Sequence, residues 1–268
     1  MTQLIDLHVH TTNSPDAALG ETELARRASS RGLSALGFVA HVDFHPKDFC
    51  ALAFRAERYD SAVREARASI PAMRILKGVE IGEPHRFMPP SLEALGGLRY
   101  DYVVGALHWV GDLLVLDPWD AAGGSHLDAV ERYFEESLLI ASGCDIDVVA
   151  HLGIFRRGLA RAGLDTGFDE ASLWPGLLRR IFEAMIDRGI ALELNTSGLR
   201  RREGITYPSP GVLAFYRGCG GTLVTLGSDT HDDPWVFFGL EEGASLLRDT
   251  GFEEVCAFEE RRRIMLPL

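Results

Sequence analysis

The sequence predicts an α/β fold in one domain, a (β/α) barrel spanning residues 1–268. Three observations lead there. About seven apolar, strand-like runs alternate with helical segments along the chain. Several of these runs are apolar throughout, which is the pattern of a parallel sheet covered on both faces. No linker, low-complexity segment or break in composition divides the chain. An open doubly wound sheet shares the alternation and stays as the alternative, because pattern alone does not show closure. With 268 residues, 46% of them hydrophobic, the chain has enough apolar material for one large core.

The first strand falls at Leu4–Val9, and a loop with Asn13, Ser14 and Pro15 follows. A helix over Glu21–Arg31 carries Leu24, Ala25 and Ala28 on its apolar face and stops at Gly32. Leu36–Val42 reads as a buried strand reaching His41. After a loop with His45, Pro46 and Lys47, a helix covers Phe54–Ala68. Met73–Ile81 is the third strand, with Glu80 at its end. A short helix near Ser91–Gly96 leads to the strand Tyr102–Leu107, which ends at His108. A long helix over Leu127–Ser142 precedes the fifth strand, Ile146–Ala150, which ends at His151. Phe155–Asp169, rich in Arg and Gly, reads as a long functional loop. A helix over Leu173–Arg188, stopped by Gly189, leads to the sixth strand, Ile190–Asn195. A turn through Pro208 and Pro210 precedes a helix near Gly211–Arg217. Thr222–Leu226 is the seventh strand and runs into Gly227-Ser228-Asp229-Thr230-His231. The last helix covers Phe237–Leu247, and the remainder reads as a short tail.

A formal net charge of -12 argues against a nucleic-acid surface, which needs a basic footprint. A local cationic pocket for one small phosphate is compatible with it, and Arg156, Arg157, Arg200, Arg201 and Arg202 form doublets and triplets. The four cysteines are far apart and contain no Cys-x-x-Cys pair, so they read as reduced, buried thiols rather than a thiolate zinc site. Asp6 and His8 interrupt any secretory leader pattern, and no apolar run approaches the ~20 residues of a membrane span. The expectation is a soluble, cytoplasmic protein.

Six of the nine histidines stand at or next to the end of an expected strand: His8, His10, His41, His108, His151 and His231. In a barrel those ends face one common site. A single histidine is more often a packing or hydrogen-bonding residue than a ligand. Six in the same relative position are hard to attribute to chance, and alternation puts His8 and His10 on the same side of the first strand. Glu80 and Asp229 fall in the same pattern, and Asp16 lies in the loop after the first strand. A carboxylate flanked by apolar residues, as Glu80 is, is costly to bury unless a cation compensates it. Asp16 also reads as an ordinary turn residue after Pro15. Nine such donors exceed the needs of one ion and suit two or three, of zinc, iron or manganese.

Asp6-x-His8-x-His10, His41, Gly78-Val79-Glu80, His108, His151 and Gly227-Ser228-Asp229-Thr230-His231 resemble the motifs of the PHP (polymerase and histidinol phosphatase) superfamily. Length, the Gly78–Ile81 segment and the run Glu193–Arg200 resemble its histidinol-phosphatase branch. The resemblance implies a distorted seven-stranded (β/α)7, TIM-like barrel holding three metal ions. One ion would be held by His8, His10, Glu80 and Asp229. A second would take Asp16, His41 and His231, and a third would share Glu80 and take His108 and His151. The family often places His where this chain has Asp16.

The implied activity is a metal-dependent phosphoric monoester hydrolase, with L-histidinol phosphate as the first substrate and histidine biosynthesis as its setting. A nucleotide or phosphotyrosine ester is the alternative within the family, and a non-catalytic metal-binding barrel the alternative outside it. Clustered cations would turn a bridging water into hydroxide, neutralise phosphoryl oxygens and hold the nucleophile in line. His8, His10, Glu80, Asp229 and His231 would thus carry the chemistry. Arg156 or Arg157, and Arg200 or Arg201, are candidates for gripping the phosphate, with a solvated basic face as the plainer reading. Asn195 and Ser197 are candidate substrate contacts, although Asn-Thr-Ser is also ordinary turn chemistry. Asp6 reads as a residue that orients a ligand or merely ends the strand pattern, and Trp109 as core. Glu83 and His85 are weaker candidates for a substrate amine, and His45 and His126 read as surface residues. No residue stands out as the general acid.

Overall fold

Apolar runs with no polar face must be covered on both sides; closure covers the inner face of the sheet and the helices between the strands cover the outer one. The structure is a computed structural model that describes residues 4–119 and 125–268. Its parallel strands are β1 (Ile5–Val9), β2 (Ala35–Phe38), β3 (Arg74–Gly82), β4 (Tyr102–Ala106), β5 (Val148–Val149), β6 (Ala191–Asn195) and β7 (Val224–Gly227), paired in that order. β7 returns to β1 through the parallel bridge between Val9 and Thr230. There the Asp229 amide donates to the His8 carbonyl at 2.8 Å and the His10 amide to the Thr230 carbonyl at 2.9 Å. The expected seven-stranded barrel forms, nearly closed, and the open sheet does not.

Tyr102 fills part of the space between strands. Its hydroxyl donates to the Leu7 carbonyl at 2.8 Å. Its hydroxyl lies where a Cβ on Gly37 would stand and its ring where one on Gly78 would, so those two positions require glycine for close approach. Among the described residues, no helix is long and apolar enough to cross a membrane.

The helices follow the expected order. They are α1 (Glu21–Arg31), α2 (Ala56–Ser69), α3 (Pro84–Ala94), α4 (His126–Gly143), α5 (Phe155–Ala162), α6 (Glu170–Leu173), α7 (Pro175–Arg188), α8 (Pro210–Gly218) and α9 (Leu240–Asp249). α1 ends at Gly32, whose φ of 81° supplies the left-handed cap.

Five local expectations are corrected, the last of them at the C-terminal segment. The second run is broken after Phe38, and His41–Val42 re-forms as a two-residue strand pairing His41 with Glu80 across β3. α3 starts at Pro84 rather than near Ser91, because a kink at Phe87 leaves Pro89 and Pro90 in the first turn of a new segment, where proline is tolerated. The expected loop Phe155–Asp169 is largely helix: Gly158 marks close approach to the Val115 and Asp117 carbonyls, not flexibility, and Gly163 caps α5. The expected helix Leu173–Arg188 is divided at Trp174, and Pro175 starts α7.

The expected tail is the antiparallel hairpin β8 (Glu254–Glu259) and β9 (Arg262–Pro267), turned by Glu260 and Arg261 at positive φ. Asp101, which precedes β4, holds that turn: its Oδ1 accepts from the Glu260 amide at 3.0 Å and its carbonyl from the Arg261 amide at 2.8 Å. Arg261 also pairs with Asp145 at 2.8 Å, just ahead of β5. The hairpin thus covers the N-terminal ends of the strands, opposite the histidines. Phe258 is buried there and stacks on Tyr102 with ring centroids 6.2 Å apart. Truncating Phe258 to Ala is expected to lower unfolding free energy by about 3–5 kcal/mol in denaturant titration. A change under about 0.5 kcal/mol would mark the hairpin as an appendage.

Candidate metal centre

β1, the His41–Val42 strand, β3, β4, β5 and β7 present polar residues at or just beyond their C-terminal ends, and these meet around Glu80. The carboxylate is buried, and its two oxygens face different imidazoles. Oε1 lies 3.5 Å from His8 Nε2, 3.6 Å from His108 Nε2 and 2.9 Å from His151 Nε2. Oε2 lies 3.3 Å from His10 Nε2 and 3.1 Å from His41 Nδ1. Asp229 Oδ1 stands 3.3 Å from His231 Nδ1, 3.8 Å from His10 Nε2 and 3.9 Å from His8 Nε2. Asp16 Oδ2 is 3.3 Å from His231 Nε2 and 3.5 Å from His41 Nε2. All nine residues read from the sequence as metal donors therefore come together at one end of the barrel.

The charge pattern shows what this cluster asks for. Burial opposes ionisation of Glu80, but His8 and His41 outweigh it and hold the carboxyl well below its usual range. Asp229 and Asp16 are likewise held low against burial, Asp229 chiefly by His231 and His8, Asp16 by His231 and His41. Burial also opposes protonation of His8, yet Glu193 and Glu80 raise it well above the ordinary imidazole range. His10 goes the other way, down to about 3, through burial and the neighbouring His231 and His41. The cluster thus keeps its carboxylates ionised and draws positive charge into a buried space. Divalent cations fit this demand. The imidazole nitrogens of His8 and His10 converge at 3.1 Å, and Glu80 Oε2 is buried without a hydrogen-bond partner. Donor atoms of His8, His10 and Asp229, of His8, Glu80 and His151, and of His10, His41 and His231 lie within 4.8 Å of one another in each group. Mixed nitrogen and oxygen donors suit zinc, iron or manganese.

The backbone is strained where it presents two of these side chains. His151 has φ 27° and Asp229 φ 54°, left-handed values that cost non-glycine residues on the order of 1–3 kcal/mol each. Several buried groups stabilise this arrangement. Arg200 donates to the Ser228 and Asp229 carbonyls, both at 2.9 Å, and so fixes the turn after β7. Asp6 accepts from the Ser228 amide at 2.9 Å and from the Ser228 hydroxyl, which ties β1 to that turn. Burial pushes its carboxyl up to about 7.

Sequence reasoning gives no role in the site to Glu193, Asp43 or Cys50, and a different one to Glu83. Glu193 accepts from His8 Nδ1 at 2.7 Å and from the His151 amide at 2.8 Å. Its signal was available, since it sits between Leu192 and Leu194 as Glu80 sits between Val79 and Ile81. Asp43 Oδ2 lies 3.2 Å from His41 Nδ1. Glu83, by sequence a candidate for a substrate amine, is buried and accepts from the His108 and Trp109 amides at 2.7 and 2.9 Å. Cys50 groups with Asp16 and His41, although the cysteine spacing gave no sign of it. Two histidines also change place. His45 is buried and stacks on Trp109 with centroids 4.1 Å apart, and His85 pairs with Glu136 at 2.9 Å.

The expected substrate contacts divide. Arg157 and Arg201 line a cleft of about 380 Å³ that opens over Glu80, Asp229 and His231. Arg157 donates to the Ser197 hydroxyl at 3.1 Å and lies 3.8 Å from Asp229. Asn195 and Ser197 are fully buried and absent from the cleft's lining. Asn195 donates to Glu193 at 3.1 Å and accepts from the Ser197 amide at 3.0 Å, so it supports the site from behind. Arg200 is committed to the carbonyls named above. Arg156 is only 3% exposed and turns away: Nε donates to Glu170 at 2.8 Å and a terminal nitrogen to the Phe168 carbonyl at 2.8 Å. Of the pair Arg156 or Arg157, the cleft is lined by Arg157, and Arg156's partners lie 14 and 12 residues away, where the sequence gives no local sign of them. Arg156→Met leaves Glu170 buried and unpaired, so thermal or denaturant unfolding is expected to show a loss of about 3 kcal/mol. A loss under about 0.5 kcal/mol would contradict this placement.

The chain is 24% identical over 260 residues to the protein named Probable histidinol-phosphatase of Clostridium acetobutylicum, covering 96% of this chain and 98% of that one. It is 27% identical over 271 residues to the protein of the same name from Deinococcus radiodurans, covering 98% and 99%. The fold is similar to the crystal structure of histidinol phosphate phosphatase from Lactococcus lactis, described as complexed with zinc, L-histidinol and phosphate. That likeness has a TM-score of 0.84 at 21% identity and covers 98% of this chain and 99% of that one. The PHP domain model matches residues 6–197, from the Asp6 that locks the barrel's closure to the Ser197 that receives Arg157. The chain belongs to the PHP domain family.

Proposed function

We propose that the chain is a metal-dependent phosphomonoesterase, that L-histidinol phosphate is its first substrate, and that the whole chain works as one unit. The observation that carries this reading is the Glu80 carboxylate, whose two oxygens face separate groups of imidazoles. One carboxylate facing two donor groups is the arrangement that places cations close together. His8, His10, Glu80 and Asp229 would hold one ion; Asp16, His41 and His231 a second; His108 and His151, sharing Glu80, a third. Bound there, two or three divalent ions of zinc, iron or manganese supply an activated water and neutralise charge on a phosphoryl group.

The chain's own residues do the rest. Arg157 and Arg201, on the cleft wall, bind the phosphoryl oxygens and orient the ester. Glu193 holds His8 in one ring orientation, because its carboxylate accepts a hydrogen bond from Nδ1–H and leaves Nε2 facing the centre. Trp109, with the exposed Phe49, forms an apolar side to the cleft against which a small organic group can pack. A cleft of about 380 Å³ is the size of a small-molecule site. The two relatives named histidinol-phosphatase and the related Lactococcus lactis enzyme support the choice of ester. One observation favours a second reading, a more highly charged ester such as a nucleotide: the cleft continues into a groove lined by arginine.

Metal content and kinetics test the proposal. Chelation is expected to remove activity, and zinc or manganese to restore it. Glu80→Ala is expected to lose more than one ion per chain by elemental analysis, since its oxygens serve two groups; full metal retention with full activity would contradict the site. Among phosphate esters, kcat/KM for L-histidinol phosphate is expected to exceed that for p-nitrophenyl phosphate by at least about 10-fold. No preference, or preference for a nucleotide, would overturn the substrate. Arg157→Met is expected to lower kcat/KM by about 10-fold or more, with the loss shared between substrates because it falls on the phosphate.

A further inference from the structure

Beside the cleft lies a groove of about 730 Å³, sharing Arg157 and Arg201 with it and adding Arg161, Arg200 and Arg202. This concentration of guanidinium groups stands in a chain of net charge -12. Against these five arginines the groove's lining has two carboxylates, Asp117 and Glu203, so positive charge is in excess. Asp117 pairs with Arg161 at 3.2 Å, and Glu203 accepts from the Tyr207 hydroxyl. Among the described residues, neither Arg201 nor Arg202 has an ion-pair or hydrogen-bond partner through its side chain within the groove. Arg157 Nε and Arg200 Nε are buried without a partner. Like charges so gathered, with unpaired donors, are stabilised by an anion that carries several acceptor oxygens.

We propose that this groove is a second anion subsite, taking one phosphate dianion beside the phosphoryl group that the metal centre would hold. Its arginines come from α5 and from the segment after β6, and its lining does not include Asp16 or His41. Two sources have this chemistry: orthophosphate on its way out of the cleft, or a second phosphoryl group on a doubly phosphorylated ester. The subsite is independent of which ester the cleft hydrolyses, though it rests on the reading of that cleft as a phosphate site.

Arg161 and Arg202 are exposed and lie outside the cleft, so Arg161→Gln with Arg202→Gln removes groove charge without touching the metal centre. Calorimetric titration of metal-loaded protein with inorganic phosphate is expected to show that the double variant binds about one equivalent fewer than the unmodified chain. The difference, not the total, is the test. If the cleft reading is wrong, the totals fall from one to none, and if it is right, from two to one. Kinetics then separate the sources. A fall of about 10-fold or more in kcat/KM for a doubly phosphorylated ester, with p-nitrophenyl phosphate unchanged, assigns the subsite to substrate. Unchanged kinetics for both esters, with the lost equivalent, assigns it to free phosphate. Equal phosphate stoichiometry and affinity in the two proteins would overturn the proposal.

Discussion

The structure depends on one buried anion. Glu80 stands at the C-terminal end of β3 with almost no access to water, and burying a carboxylate costs several kcal/mol unless cations surround it. Imidazoles arriving from β1, the His41–Val42 strand, the end of β4 and the end of β5 surround it. No single strand could supply them. The barrel is the device that brings these strand ends to one place, and the anion is what makes their convergence favourable.

Closure and chemistry are coupled at the seam between β1 and β7. The bridge from Val9 to Thr230 lies between His10 and the Asp229–His231 turn. Asp6 and Arg200 secure that turn from opposite sides, Asp6 through Ser228 and Arg200 through two carbonyls. Asp229 keeps a strained backbone there because these bonds leave it no relaxed alternative. At the other end of the barrel, the terminal hairpin packs Phe258 against Tyr102, so one end is sealed with apolar groups and the other is left polar.

Much of this was legible in the sequence, because the same physics writes both. Strands buried on two faces need unbroken apolar runs, and a polar residue that ends such a run stands out. That is how His8, His41, Glu80, His108, His151 and Asp229 declared themselves. What stayed hidden lies in partners distant along the chain. Arg156 looked like a free cation until Glu170 and the Phe168 carbonyl closed around it. Gly158 looked like loop flexibility and is instead a point of close packing. Glu260 and Arg261 are not usual hairpin-turn residues, so the hairpin they join read as a tail; Asp101 and Asp145, far away in sequence, hold them. Glu193 carried the same signal as Glu80 and went unread, because its partners His8 and His151 were already assigned to the cations.

The central claim is that the barrel's C-terminal end assembles a cluster of cations bridged by Glu80. Anomalous diffraction from crystals of the metal-loaded protein tests it most directly. The account predicts two or three anomalous peaks among the nine donor residues, with the Glu80 carboxylate contacting more than one. A single peak, or peaks that Glu80 does not join, would contradict it.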